Sequence, residues 1–324
     1  MAAGTPPLLD DSFPLPLDRP FTTAMATASG VRPSAVRSLV QAGLLRRLVR
    51  GVYVAAQCPD GLALRAAATR LVVPHAAVVT DWSACWFWTG IDAPGGHERE
   101  PVLDVAHRNR HSRLRNDLVR GGARTLKPSD VVETNGLLVT SPLRTAYDLG
   151  RLAYRDRAIG GMDALARHCG IDLDELVAGV DRFKGMRGVR QLRGLAPWVD
   201  PRAESPGESL LRLRWLDMPS LPRPTPQVPV TVCGVEVYRL DLAVPELLYA
   251  CEYDGEEFHQ DEELDDARRA DLARRFAWAV EAVGRENVSG PRRDVDERLV
   301  RGVEEARRTL GRRRRLAMQR TTAL

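Results

Sequence analysis

Lysine is nearly missing from this chain. Lys127 and Lys184 are the only two among 47 lysines and arginines in 324 residues. An amine-rich surface is excluded, and anions must be met almost entirely by the planar, bidentate guanidinium. Codon preference and phosphate recognition both explain such a bias, and only local clustering separates them. Cysteine is scarce too. Cys58, Cys85, Cys169, Cys233 and Cys251 make an odd number, and no two are spaced C-x-x-C. That argues against a disulfide framework or a zinc site and fits small buried residues in a reducing compartment. No apolar run reaches the roughly 20 residues that span a bilayer. The Pro- and Asp-rich start lacks the basic region and apolar core of a secretory leader. A cytoplasmic protein with no membrane partner is expected. Aromatics are few, at 6%, but 44% hydrophobic and 28% charged residues describe a globular chain. A formal net charge of +4 decides little.

What is present is organisation. The length suits two or three domains, and the patterning predicts an α+β multidomain protein in five segments. Residues 1–17 lack periodicity and read as a flexible lead-in. Residues 18–57 read as a winged helix: a short helix from Phe21 to Ser29, then a second helix opened by Pro33. Val36, Leu39, Val40 and Leu44 recur there at helical spacing. Two strands follow, joined by a turn at Arg50-Gly51. Residues 58–200 are a mixed α/β middle region. It includes a helix over Leu62–Leu71, an apolar stretch with Trp82, Trp86 and Trp88, and strands over Val102–His107 and Leu137–Thr140. Ser141 and Pro142 then open a helix. Arg144 and Asp148 within it read equally as a structural ion pair or as chemistry. Residues 204–290 predict a helix, a β-hairpin, a helix and a strand, hence an α/β domain with a mixed sheet. Residues 291–324 form an arginine-rich helical tail.

In the second helix the apolar face takes Val36, Leu39 and Val40, which leaves Arg32, Ser34, Arg37 and Gln41 outward. Small polar residues between arginines suit a helix in a DNA major groove. Arg46, Arg47 and Arg50 flank the wing, where backbone contacts fall. The alternative is a helical hairpin with a solvated arginine face. The stretch T-T-A-M-A-T-A-S-G-V-R-P-S-A-V-R-S-L-V-Q-A-G-L-L-R-R-L-V-R-G-V-Y-V resembles the N-terminal domain of AbiEi-type antitoxins. V-T-S-P-L-R-T-A-Y-D-L (Val139–Leu149) is similar to that family's downstream region. The resemblance implies operator binding, repression of the chain's own operon, and a cognate toxin or self-association as partners.

Carboxylates gather near the C-terminus in E-S-P-G-E-S (204–209), Y-R-L-D-L-A (238–243) and C-E-Y-D-G-E-E-F-H (251–259). Asp241 and Glu252 fall on predicted neighbouring strands about 5 Å apart. Glu252 and Asp254 share a face while the strand persists. Glu208 on the preceding helix is a third acid, and His259 follows the loop. Clustered carboxylates repel unless a cation sits between them, and Mg2+ takes oxygen ligands and activates water. This stretch resembles the PD-(D/E)xK restriction-endonuclease-like fold, and more closely its Vsr-related domains. The resemblance implies Asp241, Glu252 and Glu208 as metal ligands. It implies Asp241, Glu252, Asp254 and His259 as catalytic residues of a Mg2+-dependent endodeoxyribonuclease acting in defence or repair. Asp254 stands where the usual motif has lysine, so either His259 or an arginine of the following helix, Arg268 or Arg269 as a phosphate contact, serves in its place, or the site does not cleave. The competing expectation is a non-catalytic, antitoxin-like repressor that keeps the nuclease fold as a scaffold.

Overall fold

The computed structural model describes residues 8–74, 77–91, 102–108, 115–116, 118–255, 262–291 and 293–322. For 108, 115–116, 262–265 and 313–322 it describes the backbone alone. The chain is an α+β multidomain protein with three sheets among the described residues. It divides into two compact units, Met1–Ala153 with His168–Pro197, and Tyr154–Arg167 with Trp198–Leu324. These units differ from the five expected segments, and one apolar core joins the wing to the middle region within the first unit.

The first unit opens with β1 (Phe21–Thr22), α1 (Thr23–Ala28), α2 (Pro33–Gln41), β2 (Leu45–Val49) and β3 (Val52–Ala55). The sheet order is β1-β3-β2, with Phe21 opposite Tyr53. Phe21 was expected inside the first helix. Instead it is a fully buried strand residue, and the helix begins after it. There Thr22 Oγ1 accepts from the Met25 N–H at 3.1 Å, an N-cap that a helix started at Phe21 would forgo. The lead-in is also tied down. Leu15 is buried, Leu9 and Phe13 pack on the same small core as Phe21 and Val36, and Gln57 donates to the Leu9 carbonyl at 2.7 Å. A module this small needs that extra apolar cover.

Leu48, Val49, Val52 and Val54 of the wing join a second core with Leu64, Phe87, Leu103 and Val139 of the middle region. The elements there are α3 (Leu62–Arg70), β4 (Val78–Val79), α4 (Asp81–Thr89), β5 (Leu103–Arg108) and β6 (Arg115–Asn116). They continue with β7 (Val119–Arg124), β8 (Val131–Thr134) and β9 (Leu137–Thr140). The strands form one mixed sheet in the order β6-β7-β5-β4-β9-β8. Next is α5 (Pro142–Leu152), where Ser141 caps the Arg144 N–H as expected from S-P-L-R. Then come α6 (Arg155–Cys169), α7 (Leu173–Ala178), opened by Asp172, and α8 (Val189–Leu195).

The second unit holds most of α6, then α9 (Pro206–Leu216), β10 (Thr225–Val232), β11 (Val235–Val244), β12 (Tyr249–Tyr253) and α10 (Glu262–Phe276). It ends with β13 (Ala279–Val283), α11 (Arg285–Val288) and α12 (Val295–Thr322). The four strands lie in chain order, antiparallel from β10 to β12 and parallel between β12 and β13, the mixed sheet expected. Residues 245–247 make a tight helical turn between β11 and β12, and Leu248 takes a left-handed backbone there (φ 52°). Alternation along the strands separates two cores. Leu242, Val244, Tyr249 and Cys251 meet α9 and α12 on one face. Ala243 and Ala250 meet Leu272 and Trp278 on the other. The C-terminal helix is therefore more than a solvated tail, because Val295, Leu299 and Val303 are buried in the first of these cores. Among the described residues no helix is long and apolar enough to cross a membrane.

Candidate nucleic-acid interface and carboxylate cluster

In α2 the short apolar stripe anchors the helix. Val36 is buried, and Leu39 and Val40 pack against the same core. Arg32, Ser34, Arg37 and Gln41 are all exposed, as is Arg50 in the wing turn. Gly51 takes φ 74°, which a tight hairpin requires. Arg46 and Arg47 behave differently from expectation. The Arg46 guanidinium turns inward and donates to the Cys58 carbonyl at 2.6 Å, while Arg47 lies over the Tyr53 ring, 5.5 Å from its centroid. Strand alternation cannot show this, because long arginine stems fold back onto apolar surface.

Deeper in the same unit, Arg144 and Asp148 belong to a buried ion network. Asp148, fully buried, accepts from Arg124, Arg144 and Arg151, each at 2.9 Å. Arg144 also reaches Asp130 at 2.6 Å, and Arg182 reaches Asp130 at 2.7 Å. Arg124 continues to Asp81 at 2.6 Å. Burial alone would push the Asp148 carboxyl up, but the charges of Arg124 and Arg144 outweigh it and hold it below the ordinary carboxylate value. This network ties β7, α4, α5 and the segment before β8 together, and the pairing is structural.

The second unit carries the carboxylates. The β11–β12 register pairs Leu242 with Cys251, so Asp241 and Glu252 stand opposite one another. Asp241 Oδ2 accepts from the Tyr253 N–H at 2.9 Å. Glu208, third residue of α9, sends Oε2 back to the Glu204 N–H at 2.9 Å and accepts from Gln227 Nε2 at 2.8 Å. The glycine of P-G-E makes room for an aromatic ring, since a Cβ on Gly207 would sit 2.0 Å from the Tyr253 side chain. Burial, reinforced by the Glu208 and Glu252 charges, pushes Asp241 up to about 7, although the Tyr253 N–H and Arg268 favour its anion. The expected trio of Glu208, Asp241 and Glu252 is thus brought together.

The remaining expected residues divide. Arg268 makes a two-pronged bond to Glu252, Nη2 to Oε1 at 2.8 Å and Nη1 to Oε2 at 3.2 Å, and donates to the Arg239 carbonyl at 2.9 Å. It is a partner of the acid and not a group held ready for phosphate. Arg269 pairs with Asp266 at 2.8 Å. Asp254, just past β12, is held through its N–H on the Val283 carbonyl at 2.9 Å. None of the hydrogen bonds or ion pairs among the described residues links its carboxylate to the trio. The strand ends at Tyr253, so the alternation that would have aligned it with Glu252 lapses. His259 lies outside the described residues.

Magnesium would require these carboxylates as oxygen ligands, and the arrangement does not fit it. Arg268 engages both oxygens of Glu252, Glu208 caps a backbone N–H, and the guanidinium supplies the cation that the acids need. Among the described residues no group of three His, Cys, Asp or Glu side chains is placed to hold a metal. Sequence reasoning missed Gln227, whose left-handed backbone (φ 52°) in a proline-rich strand turns its amide onto Glu208. Nothing in P-T-P-Q-V-P announces that contact.

Fold and site together define an α+β protein with an N-terminal winged module and a mixed-sheet unit whose acids are neutralised by arginine. A family model described as "Transcriptional regulator, AbiEi antitoxin" matches residues 18–56, the whole winged module. Two Mycobacterium tuberculosis proteins are similar over most of their length: "Uncharacterized protein Rv2248" of strain H37Rv and "Uncharacterized protein MT2308" of strain CDC 1551. Each is 31% identical over 280 residues, covering 83% of this chain and 96% of its own. The chain belongs to the family of these two proteins.

Proposed function

We propose that the chain is a DNA-binding transcriptional regulator of the antitoxin kind. It lays α2 in the major groove and sets the Arg50 turn against the backbone. The observation that carries this reading is the outward face of α2. Arg32, Ser34, Arg37 and Gln41 are exposed on a module that matches a regulator family, and the helix is anchored by Val36 behind them. Arginine reads guanine with two hydrogen bonds, and glutamine reads adenine. A cognate toxin or a second copy of the chain is the protein partner this role calls for. The test is fluorescence anisotropy with duplexes tiled across the region upstream of the gene. Arg37→Ala should weaken the preferred duplex by about tenfold or more, at about 1–3 kcal/mol per base contact, and leave thermal unfolding unchanged. Equal affinity for every duplex in the wild type would defeat the proposal.

A second reading, a metal-dependent endonuclease, draws support from the register that sets Asp241 opposite Glu252 close to Glu208. Arg268 opposes it by engaging both oxygens of Glu252. Calorimetric titration with Mg2+ and a plasmid-nicking assay decide the matter. Neither heat nor nicking is expected, and nicking that disappears in Asp241→Ala would restore the enzyme.

A further inference from the structure

Many arginines among the described residues are paired. Arg124, Arg144, Arg151, Arg182, Arg212, Arg214 and Arg268 all hold carboxylates. Among the described residues, Arg32 and Arg37 at α2 depart from that pattern, and so does a second exposed stretch. In F-K-G-M-R-G-V-R (183–190) the side chains of Lys184, Arg187 and Arg190 reach solvent, and none has a hydrogen bond or ion pair to a described residue. Lys184 is one of only two lysines in the chain. Arg193 stands beside them and meets Asp181 at 3.1 Å. That is the acidic partner in this stretch, and with both side chains more than half exposed the pair is worth little.

The backbone beneath these cations is held firmly. Gly188 has φ 77°, and a Cβ there would fall 1.8 Å from the Arg151 carbonyl oxygen, so the loop lies directly on the end of α5. Arg151 donates to the Arg187 carbonyl at 3.1 Å, and Gln191 donates to the Gly150 and Ala153 carbonyls at 2.8 and 2.9 Å. Phe183, buried, lies under the Arg151 guanidinium, 4.6 Å from centroid to charge. The loop is thereby pinned to the buried ion network, while its charged side chains face outward. Lys184, Arg190 and Arg193 surround a shallow depression of about 500 Å3 floored by Gly185 and Gly188.

We infer that this loop is a second nucleic-acid contact that binds the phosphate backbone of duplex DNA, in the same compact unit as the winged module. The inference rests on the proposed regulator reading and extends it. Phosphates are the ligand because three unpaired cations on a fixed backbone, with no aromatic platform among them, bind charge without reading bases. A pinned loop also loses little conformational freedom on binding. Each phosphate neutralised releases counterions and steepens the salt dependence of affinity by about 0.9 in logarithmic slope.

The test uses the full chain and a fluorescein-labelled 30-base-pair duplex of arbitrary sequence. Anisotropy is followed across a potassium chloride series. The triple variant Lys184→Gln, Arg187→Gln, Arg190→Gln should flatten the slope by about 2–3 and Arg187→Gln alone by about 1, with unchanged thermal unfolding. If the wild type does not bind the duplex at all, the regulator reading fails and this one with it. If the wild type binds and Arg32→Ala with Arg37→Ala weakens it, but the triple variant keeps the wild-type slope, this inference alone is overturned. A triple variant that keeps the duplex slope yet loses binding of inorganic phosphate, titrated by 31P resonance, would also overturn it and give the loop to a free anion.

Discussion

Two buried clusters of opposite balance divide the charge chemistry of this molecule. In the first unit Asp81, Asp130 and Asp148 meet four guanidinium groups, those of Arg124, Arg144, Arg151 and Arg182. In the second unit Glu208, Asp241 and Glu252 lie close together, and among the described residues the Arg268 guanidinium pairs with Glu252 and favours the Asp241 anion. The excess of cations holds Asp148 ionised below the ordinary carboxylate value, whereas burial and excess negative charge push Asp241 up to about 7. Burial alone therefore does not mark a functional acid. In these two clusters the local balance of charges sets the direction in which the carboxylate shifts.

The comparison breaks most severely at its fully buried end. Asp148→Asn leaves three guanidiniums without their common partner and should destabilise the first unit by about 3–5 kcal/mol, read from urea unfolding. Arg268→Met in the second unit removes the guanidinium that Glu252, 7% exposed, holds with both oxygens. Because Arg268 is itself about one-third exposed (33%), the loss should be smaller, about 2 kcal/mol. If Arg268→Met proves neutral, the second cluster does not depend on its arginine.

Proton linkage sharpens the contrast. The folded chain binds a proton at Asp241 up to about pH 7, and the unfolded chain releases it near the ordinary value of 3.8. Stability from this group is full below that ordinary value and falls as pH rises toward 7. Asp148 acts in the opposite sense: its contribution is present above the ordinary carboxylate value and is lost as pH falls through the lowered folded value. Asp241→Asn, which keeps an oxygen for the Tyr253 N–H, should stabilise the protein at pH 8 by on the order of 1 kcal/mol and change little at pH 4. An equal effect at both pH values would place the Asp241 pKa in the ordinary range. The smallest effect belongs to the surface. Glu304→Gln breaks a pair with Arg308 at 3.8 Å in which both partners are more than half exposed, and should shift stability by less than about 0.5 kcal/mol.

Much of this was legible in the residues. Pro33, the spacing of Val36, Leu39 and Val40, and Arg50-Gly51 gave the winged module, because local periodicity and turn chemistry act within a few residues. The strands around Asp241 and Glu252, and their pairing, followed from alternation and one tight connection. Other contacts were hidden because long side chains reach partners distant in sequence. Arg46 goes to Cys58, twelve residues on, and Arg268 to Glu252, sixteen residues back. The lead-in looked structureless because Leu9, Phe13 and Leu15 form no periodic pattern, yet each packs on the small core.

By itself, the sequence determined α2 and the wing strands, the order of helix, hairpin, helix and strand in the second unit, the outward face of α2 and the meeting of three acids near the second sheet. Those properties depend on periods of 2 and 3.6 residues and on residues close along the chain. Only the tertiary structure decided which cations those acids would meet, that the wing shares a core with the middle region, and that α12 is buried along one side. It also decided that Lys184, Arg187 and Arg190 would meet no partner among the described residues while the loop beneath them was fixed. Pairing among 47 basic residues is a matter of three-dimensional proximity, and a chain with so many arginines does not write its choice of partners into local spacing.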